Sequence, residues 1–256
     1  KYLTNSIKND IILQIIKPIY MQINSKYKLL IASTSTIHGS SYLEYVLNDA
    51  VEFLDTDEIL FIPYARPSGI SYDEYTELPR KAFAQKNIKV KGIHEFEKPK
   101  AAIENAKAIF VGGGNTFLLL KTLYDLELMD VLRKVVAIGT PYMGSSAGSN
   151  ITGLSIGTTN DMPIVYPPSF NALGFLPFNI NPHYLDPDPN STHKGETRET
   201  RIKEFHHFNS QVVLGLREGS WLEIKNGEIE LKGNLTARLF QAQEEPIEIE
   251  PGKFNF

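Results

Sequence analysis

From Lys28 onward, short apolar runs alternate with stretches whose apolar residues recur at three and four, and this alternation restricts the fold more than any other feature. A helix between two strands returns the chain to the same end of the sheet, so the strands pair in parallel. The pattern therefore predicts an α/β protein: a parallel sheet flanked by helices on both faces. Lys28-Leu-Leu-Ile-Ala-Ser33, Glu58-Ile-Leu-Phe-Ile-Pro63, Ile88-Lys-Val-Lys-Gly-Ile93 and Ala108-Ile-Phe-Val111 read as strands. Helices are expected over Tyr42 to Leu54, Tyr72 to Gln85, Pro99 to Lys107 and Thr116 to Val136, the last broken near Leu128. Asp73 and Asn115 are acceptable helix caps.

Val135 to Ile151 reads as a short buried strand running into Gly144-Ser-Ser-Ala-Gly148 and then a helix start. A G-x-S-x-G turn between strand and helix lifts the serine oxygen clear of the backbone, which makes Ser146 a candidate nucleophile. The pattern alone is common by chance, so its surroundings must carry the inference. After Ser146, prolines from Pro163 to Pro189 are too closely spaced for long helices. One helix is expected over Gly195 to Phe208. Short antiparallel strands follow near the C-terminus: Gln211 to Leu216, Trp221 to Ile224, Glu228 to Leu231 and Leu235 to Leu239, with Asn226-Gly227 as a hairpin turn. The simplest organisation is one domain over 26–256, with 1–25 set aside as an N-terminal extension.

Composition narrows the chemistry. The 256 residues contain no cysteine, which removes disulfides, thiolate metal sites and cysteine nucleophiles. The formal charge of −4 is spread along the chain without a basic stripe, arguing against nucleic acid as a partner. No apolar run reaches the ~18 residues needed to span a bilayer. Ile11 to Ile16 makes a poor signal peptide, since it is short and has no small-residue cleavage site after it. A soluble, cytoplasmic protein without metal or cofactor is expected.

Val111-Gly-Gly-Gly-Asn115 follows a buried strand and precedes a helix. Its amides either cradle a phosphate, or supply one donor of an oxyanion hole with the Ala147 amide as the other, or form an ordinary tight turn. The dinucleotide spacing fails because Phe117 stands where a glycine is required. A serine nucleophile needs an oriented base. Of six histidines, His206 and His207 sit on an expected helix, while His38, His94 and His193 lie in polar or early segments. His183, after Pro182 at the end of an apolar stretch, is the best base. Two acids compete for the third place: Glu218, just after an apolar strand, and Asp161, in a loop after the nucleophile. Arg198 and Arg201 both offer a bidentate clamp for a carboxylate, and spacing does not choose between them.

Taken in order, Gly112-Gly-Gly-Asn-Thr-Phe117, Gly144-Ser-Ser-Ala-Gly148, Thr158-Thr-Asn-Asp-Met-Pro-Ile164, Ile180-Asn-Pro-His183 and His193-Lys-Gly-Glu-Thr-Arg-Glu199 resemble the peptidase E family of aspartyl dipeptidases. That serine peptidase group also includes the cyanophycinases. The resemblance implies a fold like that of class I glutamine amidotransferases. It implies Ser146 as nucleophile, His183 as base, Gly114 and Ala147 as oxyanion donors, and Arg198 as the residue that recognises the substrate's aspartate, with Asn115 beside it. For the acid it leaves Glu218, which is favoured, and Asp161. The implied activity is hydrolysis of small peptides with an N-terminal aspartate. Two departures stand out: Ser145 occupies a position where the family often has Trp, implying a smaller pocket wall, and one insertion follows His183. The alternatives are a cyanophycinase-like or broad-specificity serine hydrolase, or a non-catalytic small-ligand-binding module; the oligomeric state is not legible.

Overall fold

The computed structural model describes residues 23–187 and 195–255. Most of the N-terminal stretch 1–25 and the whole of His193 lie outside the described residues. The strands are β1 (Lys28–Ala32), β2 (Glu58–Ile62), β3 (Lys89–Gly92), β4 (Ile109–Val111), β5 (Tyr142–Ser145), β6 (Asn179–Tyr184), β7 (Val213–Arg217), β8 (Trp221–Lys225), β9 (Glu228–Lys232), β10 (Ala237–Phe240), β11 (Ile247–Ile249) and β12 (Gly252–Phe254). The α-helices are α1 (Leu47–Leu54), α2 (Tyr72–Ala84), α3 (Pro99–Glu104), α4 (Thr116–Asp125), α5 (Met129–Ala137), α6 (Ala147–Asn150) and α7 (Arg198–Phe205).

An eight-stranded sheet runs β12-β9-β8-β1-β5-β4-β2-β3, and a four-stranded sheet runs β11-β10-β7-β6. Strands β1, β5, β4, β2 and β3 are parallel, while β8, β9 and β12 extend the sheet antiparallel. Side chains alternate across the parallel strands as a sheet covered on both faces requires. Leu29, Ile31, Leu60, Ile62, Ile109 and Val111 pack with α4 and α5 on one face. Leu30, Ala32, Ile59, Phe61 and Phe110 pack with α1 and α2 on the other. Emptying one such buried site, as Phe110→Ala would, costs about 3–5 kcal/mol. Because β1, β4 and β5 are parallel neighbours, their carboxyl ends meet at one edge, where an open α/β sheet places its ligands.

Several elements differ from expectation for local reasons. The helix expected from Tyr42 begins at Leu47, because Leu43 takes φ 58° and returns its amide to the Ser35 carbonyl at 2.7 Å. Helix α2 is capped by Ser71, not Asp73: the Ser71 hydroxyl accepts from the Glu74 amide while the Glu74 carboxylate accepts from the Ser71 amide. Val135 does not open a strand. It lies buried in α5, and β5 begins only at Tyr142, after Gly139 turns at φ 114°. The late strands pair antiparallel as expected, β7 with β10 and β8 with β9, while β6, which precedes them, joins β7 in parallel. Asn226 and Gly227, at φ 57° and 80°, make the expected turn between β8 and β9. Among the described residues no helix is long and apolar enough to cross a membrane.

Candidate active site

Ser146 follows the central strand β5 and holds φ 53° and ψ −111° as the chain turns into α6. Its amide is tied to the Ala32 carbonyl at 3.2 Å, and its carbonyl accepts from the Ser149 and Asn150 amides at 2.9 and 2.8 Å. The flanking glycines make that turn packable. A Cβ on Gly144 would stand 2.5 Å from the Gly148 carbonyl oxygen, and one on Gly148 would run into the Val111 carbonyl. The serine side chain is thereby held out at the edge where β1, β4 and β5 end.

His183 reaches it from the smaller sheet. Register shifts between Pro182 and Tyr184 in the β6–β7 pairing, and His183 sits in that irregularity at φ 54°. A bulge re-aims a side chain in this way. His183 Nε2 lies 2.8 Å from Ser146 Oγ, and Nδ1 lies 2.6 Å from Glu218 Oε1. The two sheets are fastened at this point by Ser33, a fully buried residue just beyond β1. Its hydroxyl accepts the His183 amide at 2.9 Å and donates to the Leu216 carbonyl at 2.7 Å. In the sequence Ser33 only ends an apolar run, and nothing in its neighbours signals a tether to residues 150 or more positions away.

Glu218 follows β7, whose last residue, Arg217, is pinned by Asp186 and Glu248. The structure thus brings Glu218 to His183 and takes Asp161 elsewhere. Asp161 Oδ2 accepts from the Thr116 amide at 2.7 Å and the Thr116 hydroxyl at 2.6 Å, at the N-terminus of α4. A carboxylate there is favoured by the unpaired amides of the first turn. Asn115 is likewise engaged within the fold: its Oδ1 caps α4 by accepting from the Leu118 amide at 3.0 Å, and its Nδ2 donates to the Met162 carbonyl at 2.8 Å.

Gly113 abuts the serine, for a Cβ there would stand 2.9 Å from Ser146 Cβ. Next to it, Gly114 takes φ 141°, and any side chain would meet the Ala65 carbonyl. Among the described residues, neither the Gly114 nor the Ala147 amide has a hydrogen-bond acceptor. Arg198 opens α7, which Thr197 caps by accepting from the Thr200 amide at 3.1 Å. Burial pulls the Arg198 guanidinium below its ordinary pKa and Arg201 adds to this, while Asp161 and Glu218 oppose. Its Nε has no partner among the described residues, and it lines a cavity of about 40 Å³ with Thr158, Asn160 and Asn181. The more exposed Arg201 faces Glu196 at 3.7 Å.

Ser145, where a smaller pocket wall was expected, is fully buried at the end of β5. Among the described residues, no group of three or more His, Asp or Glu is placed to hold a metal ion.

The model of peptidase family S51 matches residues 29–232. Peptidase E from Streptomyces coelicolor is 51% identical over 225 residues, covering 88% of this chain and 91% of that protein. A probable alpha-aspartyl dipeptidase from Drosophila melanogaster is 46% identical over 231 residues, covering 89% of this chain and 95% of that one. Among solved structures, a putative peptidase E from Listeria monocytogenes EGD-e superposes with a TM-score of 0.61 at 24% identity, covering 81% of this chain and 98% of its own. A peptidase from an acI-B1 actinobacterium gives 0.67 at 15% identity, covering 93% and 100%. At those identities the two structures speak to the fold.

Proposed function

The chain belongs to peptidase family S51 and is a serine peptidase, and from that premise we propose that it hydrolyses small peptides with an amino-terminal aspartate through Ser146, His183 and Glu218. The observation that carries the reading is the pair of His183 contacts, 2.8 Å to Ser146 Oγ and 2.6 Å to Glu218 Oε1. In this reading His183 Nε2 takes the Ser146 proton as Oγ attacks the scissile carbonyl. Glu218 fixes the ring so that Nε2 faces the serine, and stabilises the imidazolium that forms. The unengaged amides of Gly114 and Ala147 receive the developing oxyanion, each worth about 3 kcal/mol in the transition state. His183 then protonates the leaving amine, and a water activated at the same nitrogen releases the acyl group from Ser146.

Substrate choice falls to Arg198. A half-buried cation with an unpartnered Nε is poised for an anion, and a carboxylate meets that need. The name of the Drosophila relative points the same way. The reading also takes 26–256 as one peptidase domain of the class I glutamine amidotransferase type, working in the cytoplasm, where a chain without cysteine is at home.

Rates across Asp-X, Glu-X and Leu-X dipeptides test the proposal. Asp-X is expected to be preferred, and Arg198→Met to raise KM for Asp-X roughly 30-fold, the equivalent of a charge-assisted hydrogen bond of about 2 kcal/mol. Equal rates for Asp-X and Leu-X would leave a serine hydrolase of broad specificity in its place.

A further inference from the structure

Tyr75 lies on α2, on the far side of the Gly112–Gly114 turn from solvent, and none of the steps above uses it. It is fully buried, its hydroxyl donates to the Gly113 carbonyl at 2.9 Å, and its ring is wedged edge-on against Phe61 with the Arg66 guanidinium stacked 4.5 Å from its centroid. Burial pushes the phenol above its ordinary pKa, so the oxygen keeps the proton it donates. The reciprocal Ser71–Glu74 cap, one residue before Tyr75, fixes the start of the helix that carries it.

The carbonyl that Tyr75 holds belongs to the same peptide unit as the Gly114 amide. A trans peptide is planar, with its C=O and N–H pointing in opposite directions, and no described peptide bond here is cis. A donor that seizes the oxygen on the α2 side therefore turns the Gly114 N–H to the opposite side, where it meets no acceptor among the described residues. Without such an anchor a glycine-flanked peptide is free to rotate, since neither neighbour has a Cβ to restrict it. The hydrogen bond also polarises the unit, which makes the N–H a stronger donor.

The glycine run is shaped around this contact. A Cβ on Gly112 would stand 2.6 Å from the Tyr75 hydroxyl and 2.8 Å from the Phe61 ring, so only glycine admits the tyrosine to the turn. Gly112 clears Tyr75, and Gly113 clears Ser146. One turn is thus gripped from below by a phenol and faces the nucleophile above.

We propose that Tyr75 is a positioning residue of the oxyanion site, acting through the Gly113–Gly114 peptide to aim the Gly114 N–H at the tetrahedral intermediate formed on Ser146. The inference rests on the serine-peptidase reading of Ser146 given above. It adds a residue on the opposite face of the turn, outside the cleft.

The test is Tyr75→Phe, which keeps the ring and removes the hydroxyl, and with it both the bond to the Gly113 carbonyl and the contacts with Tyr42 and Arg66. With an aspartyl p-nitroanilide and with p-nitrophenyl acetate, kcat is expected to fall about tenfold, a fraction of the loss seen when an oxyanion donor is deleted outright, with KM within twofold of wild type. Affinity for phenylboronic acid, whose boron takes the Ser146 oxygen and becomes tetrahedral, should weaken by the same factor, while affinity for free aspartate is unchanged. A purely structural role would lower the melting temperature without this split. Wild-type kcat and boronate affinity in Tyr75→Phe would overturn the proposal. Should the variant not fold, a crystal structure of the wild-type boronate adduct decides: a boronate oxygen within hydrogen-bonding distance of the Gly114 amide, with the Tyr75–Gly113 bond intact, supports it, and an oxygen directed elsewhere overturns it. A boronate that does not bond to Ser146 at all removes the serine reading instead, so the two failures are distinct.

Discussion

Ser146 and His183, whose side chains meet at 2.8 Å, both hold left-handed backbone angles, φ 53° and 54°. Ser146 follows a strand of the larger sheet and His183 lies in the smaller one, and each is forced into that region by what surrounds it: the tight β5–α6 turn for one, the β6 irregularity for the other. Such angles cost a residue with a Cβ roughly 1–3 kcal/mol and persist where the surrounding fold over-determines them. Stability has been traded for a fixed meeting of hydroxyl and imidazole.

That strain is measurable at Ser146. Ser146→Gly should be more stable than Ser146→Ala by about 1 kcal/mol in urea unfolding, because only glycine relaxes at this φ. Equal stabilities, or a more stable alanine variant, would mean that the turn is not strained.

The two acids separate cleanly by mutation. Glu218→Gln should lower kcat about a hundredfold with little effect on folding, less than a fully buried acid would lose, because 45% of its side chain faces water. Asp161→Asn should instead cost about 1 kcal/mol of stability, through the weakened charge at the N-terminus of α4, and lower kcat by no more than a few-fold. The reverse pattern in steady-state kinetics and thermal melts would reassign the acid.

Much of this was legible in the residues. The alternation of apolar runs reports the parallel sheet because β1, β2 and β4 are buried on both faces, whereas the edge strand β3 alternates exposed and buried residues, and the break near Leu128 separates α4 from α5 as expected. Ser146, Gly114 and His183 carry local signals: a glycine-framed turn, a glycine run after a strand, and a proline-fixed strand end. What escaped depends on distant partners. Leu43 looks helical by pattern, but its amide is taken by Ser35. Strand β6 is obscured by Pro182 and by its own irregularity, and its parallel partner β7 lies beyond α7 in sequence. The choice between Glu218 and Asp161, and the tether at Ser33, are set by how the two sheets dock, which no local pattern encodes.

Acid stability should report the cluster that holds β7 in place. Burial pushes Glu248 up, but hydrogen bonds from Arg217, Thr236 and Arg238 outweigh it and hold its pKa at about 2. A carboxylate depressed in the folded state contributes stability above its unfolded pKa, near 4.5, and loses it as pH falls through about 2. Glu248→Gln should therefore cost about 1 kcal/mol at pH 7, a modest figure because the side chain is partly in water. The difference from wild type should shrink between pH 4.5 and 2. A difference independent of pH over that window would show that the charge is not what stabilises.

The most direct measurement is mass spectrometry of the protein after reaction with a fluorophosphonate, alongside hydrolysis of an aspartyl p-nitroanilide. One adduct on the peptide containing Ser146 is expected, with loss of hydrolysis in proportion, and neither adduct nor activity in Ser146→Ala. An active Ser146→Ala enzyme, or full inactivation with the adduct on another residue, would contradict the assignment of the nucleophile.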